Sequence, residues 1–348
     1  MAANESMKGN DRYSRQELYA PIGKTGQRRL QDSRLLIIGA GALGSTLADT
    51  FVRAGVGDVT LIDRDYVEWS NLQRQQLYTE QDAIDRLPKA IAAENRLKAI
   101  QSETVIRGVV ADVTVYEIEE WAYDRDLILD ATDNFDTRML INDYALKHGI
   151  PWIYGACVGS YGLSMMIEPG ITPCMHCLLE TIPKGGPTCD TAGIIAPAVQ
   201  MVAAYQAAEA LKWLTGNESA LHRKLVSFDL WTNQHTSISV QAAKRADCPS
   251  CGSEPTYPYL DASNHRKTEI LCGRDTVQIR PTMKDILPLE SLAARLEASH
   301  GMKVKGNPYL ISLQWEQFRI VLFRDGRMLV HGTKDPAEAR KIVDRLLG

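Results

Sequence analysis

A glycine-rich turn, Gly39-Ala40-Gly41-Ala42-Leu43-Gly44, has the spacing GxGxxG between an apolar run and a helical pattern. Glycines there let the backbone approach a phosphate closely, and the N–H groups at the start of the helix donate to it. Asp63 ends the next apolar run, 19 residues after Gly44, at the spacing of a carboxylate that accepts hydrogen bonds from ribose hydroxyls. The motif predicts nucleotide binding and alone is most typical of a nicotinamide dehydrogenase. A tight turn without a ligand is the alternative.

A polar run, Ser70-Asn71-Leu72-Gln73-Arg74-Gln75, follows shortly after Asp63 and favours a different chemistry. An enzyme that breaks a phosphoanhydride must stabilise negative charge on the α-phosphorus and the departing pyrophosphate, which fixed cationic donors do. The guanidinium of Arg74 can bind phosphate oxygens through two parallel donors, and Lys89 can add a positive charge at the start of a predicted helix. Asp133 lies just past the end of a predicted strand, where it could bind Mg²⁺. Taken singly, Arg74 and Lys89 are equally well read as solvated surface charges, but the ordered set favours phosphate chemistry.

Four of the seven cysteines form two CxxC pairs, Cys174 with Cys177 and Cys248 with Cys251. Each pair turns two thiolates toward one point, so together they predict a tetrahedral Zn²⁺ site that joins segments 70 residues apart. A redox pair is the rival interpretation. His176 is not expected to be a ligand, because four thiolates fill the coordination shell.

Cys189 lies outside both pairs, in the Gly- and Pro-rich segment 181–189, which predicts a mobile loop. An accessible thiol on such a loop could act as a nucleophile, or it could be a small residue that packs passively. The residues themselves leave both interpretations open. Cys157 and Cys272 have no comparable context, and packing is expected for both.

The elements that must position these residues alternate between strands and helices. Strands are predicted at 34–38, 58–63, 104–110, 126–130 and 152–156, and helices through Leu43, Leu47 and Phe51, at 89–100 and at 136–148. Strands at 159–168, 225–230 and 236–240 and a helix at 196–214 follow. This order predicts an α/β fold with a doubly wound, Rossmann-like and mostly parallel sheet, extended by an antiparallel part that carries the four-cysteine zinc site.

The last part of the chain has a different pattern. Residues 252–267 are polar and look like a linker, and beyond them a strand, a helix, two or three strands and a helix predict a small α+β module. Asp325-Gly326 predicts a hairpin turn after the apolar run 318–323. The expected core residues are Ile286, Leu287, Leu289, Leu292 and Leu296, with Ala337, Ile342, Val343 and Leu346 on the closing helix. The predicted divisions are 1–252, 253–267 and 268–348, and the last is expected to be accessory and non-catalytic.

The composition limits the classes of protein to which the chain can belong. The 348 residues are 45% hydrophobic and 24% charged, as in soluble globular proteins. The formal net charge of -4 gives no general attraction to nucleic acid or to anionic membranes. The start of the chain is polar and no apolar run is long enough to cross a bilayer, so a cytoplasmic protein is expected.

Together these motifs resemble the ThiF/MoeB/HesA family, bacterial relatives of the ubiquitin-activating enzymes. The resemblance runs from about Tyr13 to Cys251 and includes Tyr13-Ser14-Arg15-Gln16, the glycine turn, the 70–75 run, Lys89, Ala131-Thr132-Asp133-Asn134, both CxxC pairs and Cys189. It implies ATP-dependent adenylation of the C-terminal carboxylate of a ubiquitin-like sulfur-carrier protein, with release of pyrophosphate. A nicotinamide oxidoreductase is the alternative class, and a non-catalytic scaffold is another.

The resemblance also implies roles for individual residues. Gly39, Gly41, Gly44, Asp63, Asn71, Arg74, Gln75, Lys89 and Asp133 would hold ATP and Mg²⁺. Arg15 would reach the phosphates of a neighbouring subunit, which implies a homodimer. Cys189 would handle sulfur, supplied by a donor such as a cysteine desulfurase. The segment Cys189-Asp190-Thr191-Ala192-Gly193 looks more like ThiF, which acts on the carrier ThiS in thiazole and thiamine biosynthesis, than like MoeB, which acts on MoaD.

Overall fold

The computed structural model describes residues 12–179, 192–261, 268–270, 275–280 and 286–347. The strands are β1 (Arg34–Ile38), β2 (Asp58–Asp63), β3 (Val105–Val110), β4 (Leu127–Asp130), β5 (Trp152–Val158), β6 (Tyr161–Ile167), β7 (Leu225–Asp229), β8 (Gln234–Ile238), β9 (Thr268–Ile270), β10 (Thr276–Ile279), β11 (Lys305–Gly306), β12 (Leu310–Trp315), β13 (Phe318–Phe323) and β14 (Met328–His331). The α-helices are α1 (Ser14–Glu17), α2 (Gly23–Asp32), α3 (Ala42–Ala54), α4 (Glu80–Ile84), α5 (Lys89–Ile100), α6 (Val115–Ala122), α7 (Phe135–His148), α8 (Met175–Leu178), α9 (Ala196–Leu214), α10 (Leu289–His300) and α11 (Pro336–Leu347).

The first sheet of the described chain has eight strands in the order β3-β2-β1-β4-β5-β6-β7-β8. The strands from β3 to β5 are parallel, and β6, β7 and β8 continue the sheet antiparallel. The strand order reverses between β1 and β4. In sheets of this type, ligands bind outside the carboxyl ends of the strands at such a reversal, because the connections on either side leave a crevice there.

Both faces of this sheet are covered, which explains the continuous apolar runs of its central strands. Alternate residues of β1 point to opposite faces, so Leu35 and Ile37 join one core while Leu36 and Ile38 join the other. Helix α3 buries Leu43, Leu47 and Phe51 in the first of these cores, as its periodicity predicts. The predicted α/β fold with a mostly parallel sheet is therefore confirmed.

The second sheet is antiparallel, with the order β11-β12-β13-β14-β10-β9 among the described residues. The predicted Asp325-Gly326 turn joins β13 to β14, and Gly326 has a φ of 84°. Two expected core positions differ: Ile286 is 74% exposed, and Ala339 rather than Ala337 is the buried alanine of α11. Ile286 precedes α10, so the periodicity of that helix does not extend to it.

The start of the predicted linker packs against the first sheet. Residues Pro258–Leu260 form a 3₁₀ turn whose Tyr259 and Leu260 contact the core beneath α7, and the N–H of Tyr259 donates to Asp143 at 2.9 Å. The predicted divisions at 252 and 267 stay a prediction. No helix in the described ranges combines the length and apolar character that a membrane span requires.

The two sheets meet through a small apolar core and a buried ionic contact. Tyr66, which follows β2, packs with Leu310, Val321, Phe323 and Leu329 of the second sheet. Oδ1 of Asp112, which follows β3, lies 3.2 Å from Nη1 of Arg64. Oδ2 of Asp112 accepts hydrogen bonds from the side chain of Gln278, on β10, at 2.7 Å and from that of Arg280, the residue after β10.

Candidate functional site

The glycine turn lies at the strand-order reversal, between β1 and α3. A Cβ on Gly39, whose φ is 99°, would lie 2.5 Å from the carbonyl oxygen of Ala131, and a Cβ on Gly44 would lie 1.8 Å from that of Gly39. These two glycines therefore let the turn pack against the β4 end and against the start of α3. Gly41 differs, because a Cβ there would meet nothing within 4 Å. Open space in front of the first N–H groups of α3 fits the approach of a phosphate.

Asp63 ends β2 and braces this turn. Its Oδ2 accepts from the N–H of Ala40 at 2.6 Å, and its Oδ1 accepts from the N–H of Asp65 at 2.7 Å. Burial raises the pKa of Asp63 above its ordinary value, although nearby Lys89 and these backbone hydrogen bonds oppose the shift. The carboxylate is thus fixed beside the glycine turn, where a ribose ligand is predicted.

Lys89, at the start of α5, is only 4% exposed, and its Nζ lies 3.2 Å from Oδ2 of Asp65. A buried ammonium needs such a partner, so Lys89 is not a solvated surface charge. Its backbone N–H also donates to the carbonyl of Asp65 at 2.9 Å. These contacts fix the start of α5 close to the end of β2.

The 70–75 run folds around a 3₁₀ turn, Trp69–Asn71. Asn71 is 1% exposed, and Arg74 is half-buried, with its guanidinium donating to the carbonyl of Ser70 at 3.0 Å. Gln75 is 4% exposed, and its Oε1 has no hydrogen-bond partner among the described residues. A buried oxygen without a partner costs free energy, which a ligand donor would recover.

Asp133 is exposed on the turn between β4 and α7. The turn is held by a buried pair that sequence analysis did not single out. Asp130 is fully buried, and its carboxylate accepts from Nε of Arg138 at 2.6 Å and from the N–H of Thr132 at 2.9 Å. Burial alone would lower the pKa of Arg138, but Asp130 raises it, so the guanidinium stays charged. The available signal was an aspartate at the end of a fully apolar strand, since a buried carboxylate requires a partner.

The motif at 13–16 divides its residues between the interior and the surface. Tyr13 is buried, and its hydroxyl accepts from Gln101 at 2.6 Å, while Gln16 donates to the carbonyl of Ala54 at 2.9 Å. Arg15, on the same helix, is exposed. Neighbouring Leu18 is also exposed, by 73%. Helix α1 is thus anchored to the C-terminal ends of α3 and α5, and Arg15 is left exposed.

The four CxxC cysteines come together. The Sγ atoms of Cys174, Cys177, Cys248 and Cys251 all lie within 4.8 Å of one another, as the one candidate metal cluster found among the described residues. Three of the Sγ–Sγ distances are 3.4, 3.5 and 4.0 Å. A tetrahedron with Zn–S bonds of about 2.3 Å has edges of about 3.8 Å, so the cluster fits Zn²⁺. Within the cluster, hydrogen bonds from Cys174 and the other thiols lower the pKa of Cys251 to about 5, whereas the hydrogen bond to Cys251 raises the pKa of Cys174 and burial raises that of Cys177 to about 11, so the fit to Zn²⁺ rests on the geometry of the four sulfur atoms.

A buried carboxylate on α7 supports this cluster, and sequence analysis also missed it. Asp143 accepts from the Ser250 hydroxyl, which in turn contacts Nδ1 of His176. His176 therefore lies beside the thiols with its Nδ1 against Ser250, and that it is not a ligand stays a prediction. Cys157 is half-buried and packs against the first core, as expected. Cys189, its predicted loop and Cys272 lie outside the described residues.

The doubly wound α/β sheet has a phosphate-type glycine turn at its strand reversal, and the chain also carries a cluster of four thiols. These features define a nucleotide-binding type of α/β protein with a candidate metal centre. The chain belongs to the ThiF family, whose family model matches residues 13–250. The resemblance deduced from the motifs is thereby confirmed.

Three curated relatives carry informative names. A sulfur carrier protein ThiS adenylyltransferase from Bacillus subtilis is 54% identical over 337 residues, which cover 97% of this chain and 99% of that protein. The protein of the same name from Escherichia coli is 36% identical and covers 71% of this chain and 97% of its own length. The molybdopterin-synthase adenylyltransferase of E. coli is 34% identical, with coverages of 69% and 96%.

The solved structures that resemble the chain share its fold. E. coli MccB with ATP has a TM-score of 0.59 at 21% identity and covers 70% of this chain and 74% of that one. E. coli MccB with succinimide has a TM-score of 0.60 at 21% identity, with coverages of 70% and 74%.

Proposed function

We propose that this chain is an adenylyltransferase that uses ATP to activate the C-terminal glycine carboxylate of a ubiquitin-like sulfur carrier of the ThiS type. The observation that carries the proposal is the 54% identity to a ThiS adenylyltransferase over 97% of the chain. A carboxylate oxygen of the carrier attacks the α-phosphorus of ATP, and the bond from that phosphorus to the bridging oxygen breaks. Pyrophosphate leaves with the electron pair, and an acyl-adenylate with a reactive carbonyl forms.

The geometry supports a separate role for each of the site residues in this reaction. The open face at Gly41 and the start of α3 receive phosphate oxygens, and Asp63 accepts from the ribose hydroxyls. Asn71, Arg74, Gln75 and Lys89 surround the phosphates, with Arg74 and Lys89 stabilising the charge that develops on pyrophosphate. Asp133 would hold Mg²⁺, which would neutralise part of the phosphate charge. The Asp130–Arg138 pair keeps the Asp133 turn in place.

A second candidate is activation of the molybdopterin synthase small subunit, as in MoeB. It is favoured by the 34% identity to the E. coli enzyme of that name, and the ThiS-type carrier is favoured over it by the higher identity and longer coverage of the Bacillus relative. A nicotinamide oxidoreductase is disfavoured, because hydride transfer has no use for the buried Lys89 and the 70–75 run.

Further parts of the proposal concern metal, assembly and sulfur. The four clustered thiols would hold Zn²⁺, which would join the segment around α8 to the second CxxC pair. Arg15, exposed on its anchored helix, completes the phosphate site of a neighbouring subunit in a homodimer.

Cys189 takes part in sulfur transfer after adenylation, with a donor such as a cysteine desulfurase. Reduced thiols at the metal site favour a cytoplasmic location.

The test is the exchange of pyrophosphate into ATP in the presence of a purified ThiS-type or MoaD-type carrier. Exchange is expected with the ThiS-type carrier and none without it. Arg74→Ala should lower the rate by on the order of 10²-fold, the usual effect of losing a transition-state charge donor. Arg53→Ala, which removes an exposed arginine from α3, is the matched control and should leave the rate unchanged. Exchange undiminished by Arg74→Ala, or exchange with the MoaD-type carrier alone, would reject the assignment.

A further inference from the structure

The second sheet reaches the turn that precedes Arg74 through an ion pair. Nη2 of Arg319, on β13, lies 3.0 Å from Oε1 of Glu68. The family match ends at residue 250, so Arg319 lies outside the region that defines the family. The pair therefore links a segment without an assigned role to a turn that carries predicted phosphate ligands.

Glu68 controls the geometry of that turn. The Asn71 side chain accepts from the backbone N–H of Glu68 at 3.0 Å, and the backbone N–H of Asn71 faces both the carbonyl of Glu68, at 2.9 Å, and the Glu68 side chain, a reciprocal capping arrangement. The carbonyl of Asn71 then accepts from the N–H groups of Arg74 at 3.1 Å and Gln75 at 2.9 Å. A shift of the Glu68 side chain would thus be passed to Asn71 and then to Arg74.

Glu68 is also braced from the side of β2. The hydroxyl of Tyr66 lies 3.4 Å from the same Oε1 of Glu68 and 3.3 Å from Nε2 of His331 on β14. Nδ1 of His331 is 2.8 Å from Oγ1 of Thr276 on β10, and His331 pairs with Arg319 across the sheet. Strand β13 therefore contacts the Glu68 carboxylate directly through Arg319, and β14 and β10 reach it through the chain Tyr66–His331–Thr276.

Between these groups lies a cavity of about 650 Å³. Gln73 and Arg74 line it from the first sheet, and Thr276, Arg319 and His331 line it from the second. The 70–75 run is thus bounded by the second sheet on this side.

We propose that Arg319 is a positioning residue for adenylation: through Glu68 it holds Asn71 and Arg74 where they meet the phosphates of ATP. The proposal rests on the adenylyltransferase function proposed above. It assigns the second sheet a part in catalysis, in place of the non-catalytic accessory role that its sequence suggests. A misplacement of about 1 Å in such a group can cost on the order of 10²-fold in rate, although the residue moved does not touch the substrate.

Attachment of the second sheet does not depend on Arg319. Asp112 accepts from Gln278 and Arg280, the Arg86 guanidinium donates to Ser312, and Tyr66 packs among apolar residues of β12, β13 and β14. Loss of one half-exposed guanidinium should therefore leave the two sheets in contact. This separates positioning from attachment in an experiment.

The experiment measures carrier-dependent pyrophosphate exchange in the full chain. Arg319→Ala should lower kcat by roughly 10- to 100-fold with the KM for ATP changed less than about threefold, and Arg319→Lys should restore part of kcat. Glu68→Gln, which keeps a hydrogen-bonding oxygen for the turn, should lower kcat similarly, and adding Arg319→Ala to it should cost little more. Two controls should stay within about twofold of the parent: Ser312→Ala, which removes a contact between the sheets away from the turn, and Arg345→Ala, which removes an exposed arginine of α11.

Hydrogen exchange of the segment 66–76 provides a readout that does not need activity. Arg319→Ala should speed exchange there and leave α10 and α11 unchanged, since the second sheet stays folded. An unaltered kcat, an equal loss in the Ser312→Ala or Arg345→Ala control, or unaltered exchange at 66–76 overturns the proposal. If the parent chain exchanges no pyrophosphate with any carrier, the adenylyltransferase function fails instead, and the hydrogen exchange still decides whether Arg319 positions the turn.

Discussion

Replacing Asp112 with Asn should destabilise the protein, because this carboxylate joins the two sheets. Asp112 is 6% exposed and forms ion pairs with Arg64, which follows β2, and with Arg280, which follows β10. Burial alone would raise its pKa, but Arg64, Arg280 and Arg327 lower the pKa of Asp112 from 3.8 to about 2. A fall of that size corresponds to roughly 2 kcal/mol of favourable interaction with the charged form.

The substitution should cost more than this, because it removes the carboxylate that two largely buried guanidinium groups share. Removing one partner of a buried ion pair costs about 3–5 kcal/mol, and since Arg64 and Arg280 are 17% and 19% exposed, we expect the lower end, about 3 kcal/mol. The folded-state pKa of Asp112 lies below the unfolded value, so its contribution is complete above pH 3.8 and is lost as the pH falls through about 2. The difference between the two chains should therefore be constant near neutral pH and shrink on acidification below about pH 4.

Urea unfolding followed by circular dichroism measures the free energy of unfolding of both chains at neutral pH and at decreasing pH. Asp49→Asn is the matched control: Asp49 forms an i,i+4 pair with Arg53 on α3 at 2.8 Å, with side chains 33% and 59% exposed. Such a surface pair contributes about 0.5 kcal/mol or less. If Asp112→Asn is no more destabilising than Asp49→Asn, or if its effect grows as the pH falls, the reasoning is wrong.

Three further predictions concern the proposed site. Freshly purified protein should contain one zinc ion per chain by elemental analysis, and Cys251→Ser should lose it and unfold at lower urea; zinc-free protein of unchanged stability would contradict this. An Arg15→Ala chain mixed with an Asp133→Ala chain should regain pyrophosphate exchange, because one hybrid site then has both native residues; no recovery after demonstrated subunit exchange would argue against a shared site. Cys189→Ser should keep pyrophosphate exchange and lose sulfur transfer, since adenylation needs no thiol, and full sulfur transfer by that variant would leave Cys189 a packing residue.

The central elements were predictable because burial on both faces leaves a continuous apolar run. The strands at 34–38 and 58–63 and the helices at 89–100 and 196–214 have the predicted bounds. The last strand of the first sheet, β8, spans Gln234–Ile238, whereas the prediction placed it at 236–240. All five of its residues are exposed, so its sequence carries no periodic signal that would fix its ends. In the second sheet, β10 contains the fully buried Gln278, whose burial depends on Asp112, 166 residues away.

In the candidate site too, residues with a local sequence signal were predictable, and residues that depend on distant partners were not. The glycine turn, Asp63 and Asp133 follow strand ends, so a parallel sheet alone brings them near one crevice. Asp143 and the Glu68–Arg319 pair had no local signal, since their partners lie 107 and 251 residues away in sequence. A spacing pattern identifies groups that act on a ligand, but it does not identify the groups that hold them when those come from distant elements.

The cysteine cluster has a consequence for how the chain is made. Cys174 and Cys248, whose Sγ atoms lie 3.5 Å apart, are separated by 74 residues. At translation rates of about 5–20 residues per second, the first CxxC pair emerges from the ribosome roughly 4 to 15 seconds before the second can reach it. During that interval the two thiols lack their later neighbours and are open to oxidation or to a foreign metal. We expect the yield of native protein to depend on the zinc and redox state of the cell during synthesis more than afterwards. Labelling nascent thiols under zinc depletion would measure this, and equal labelling with and without zinc would contradict it.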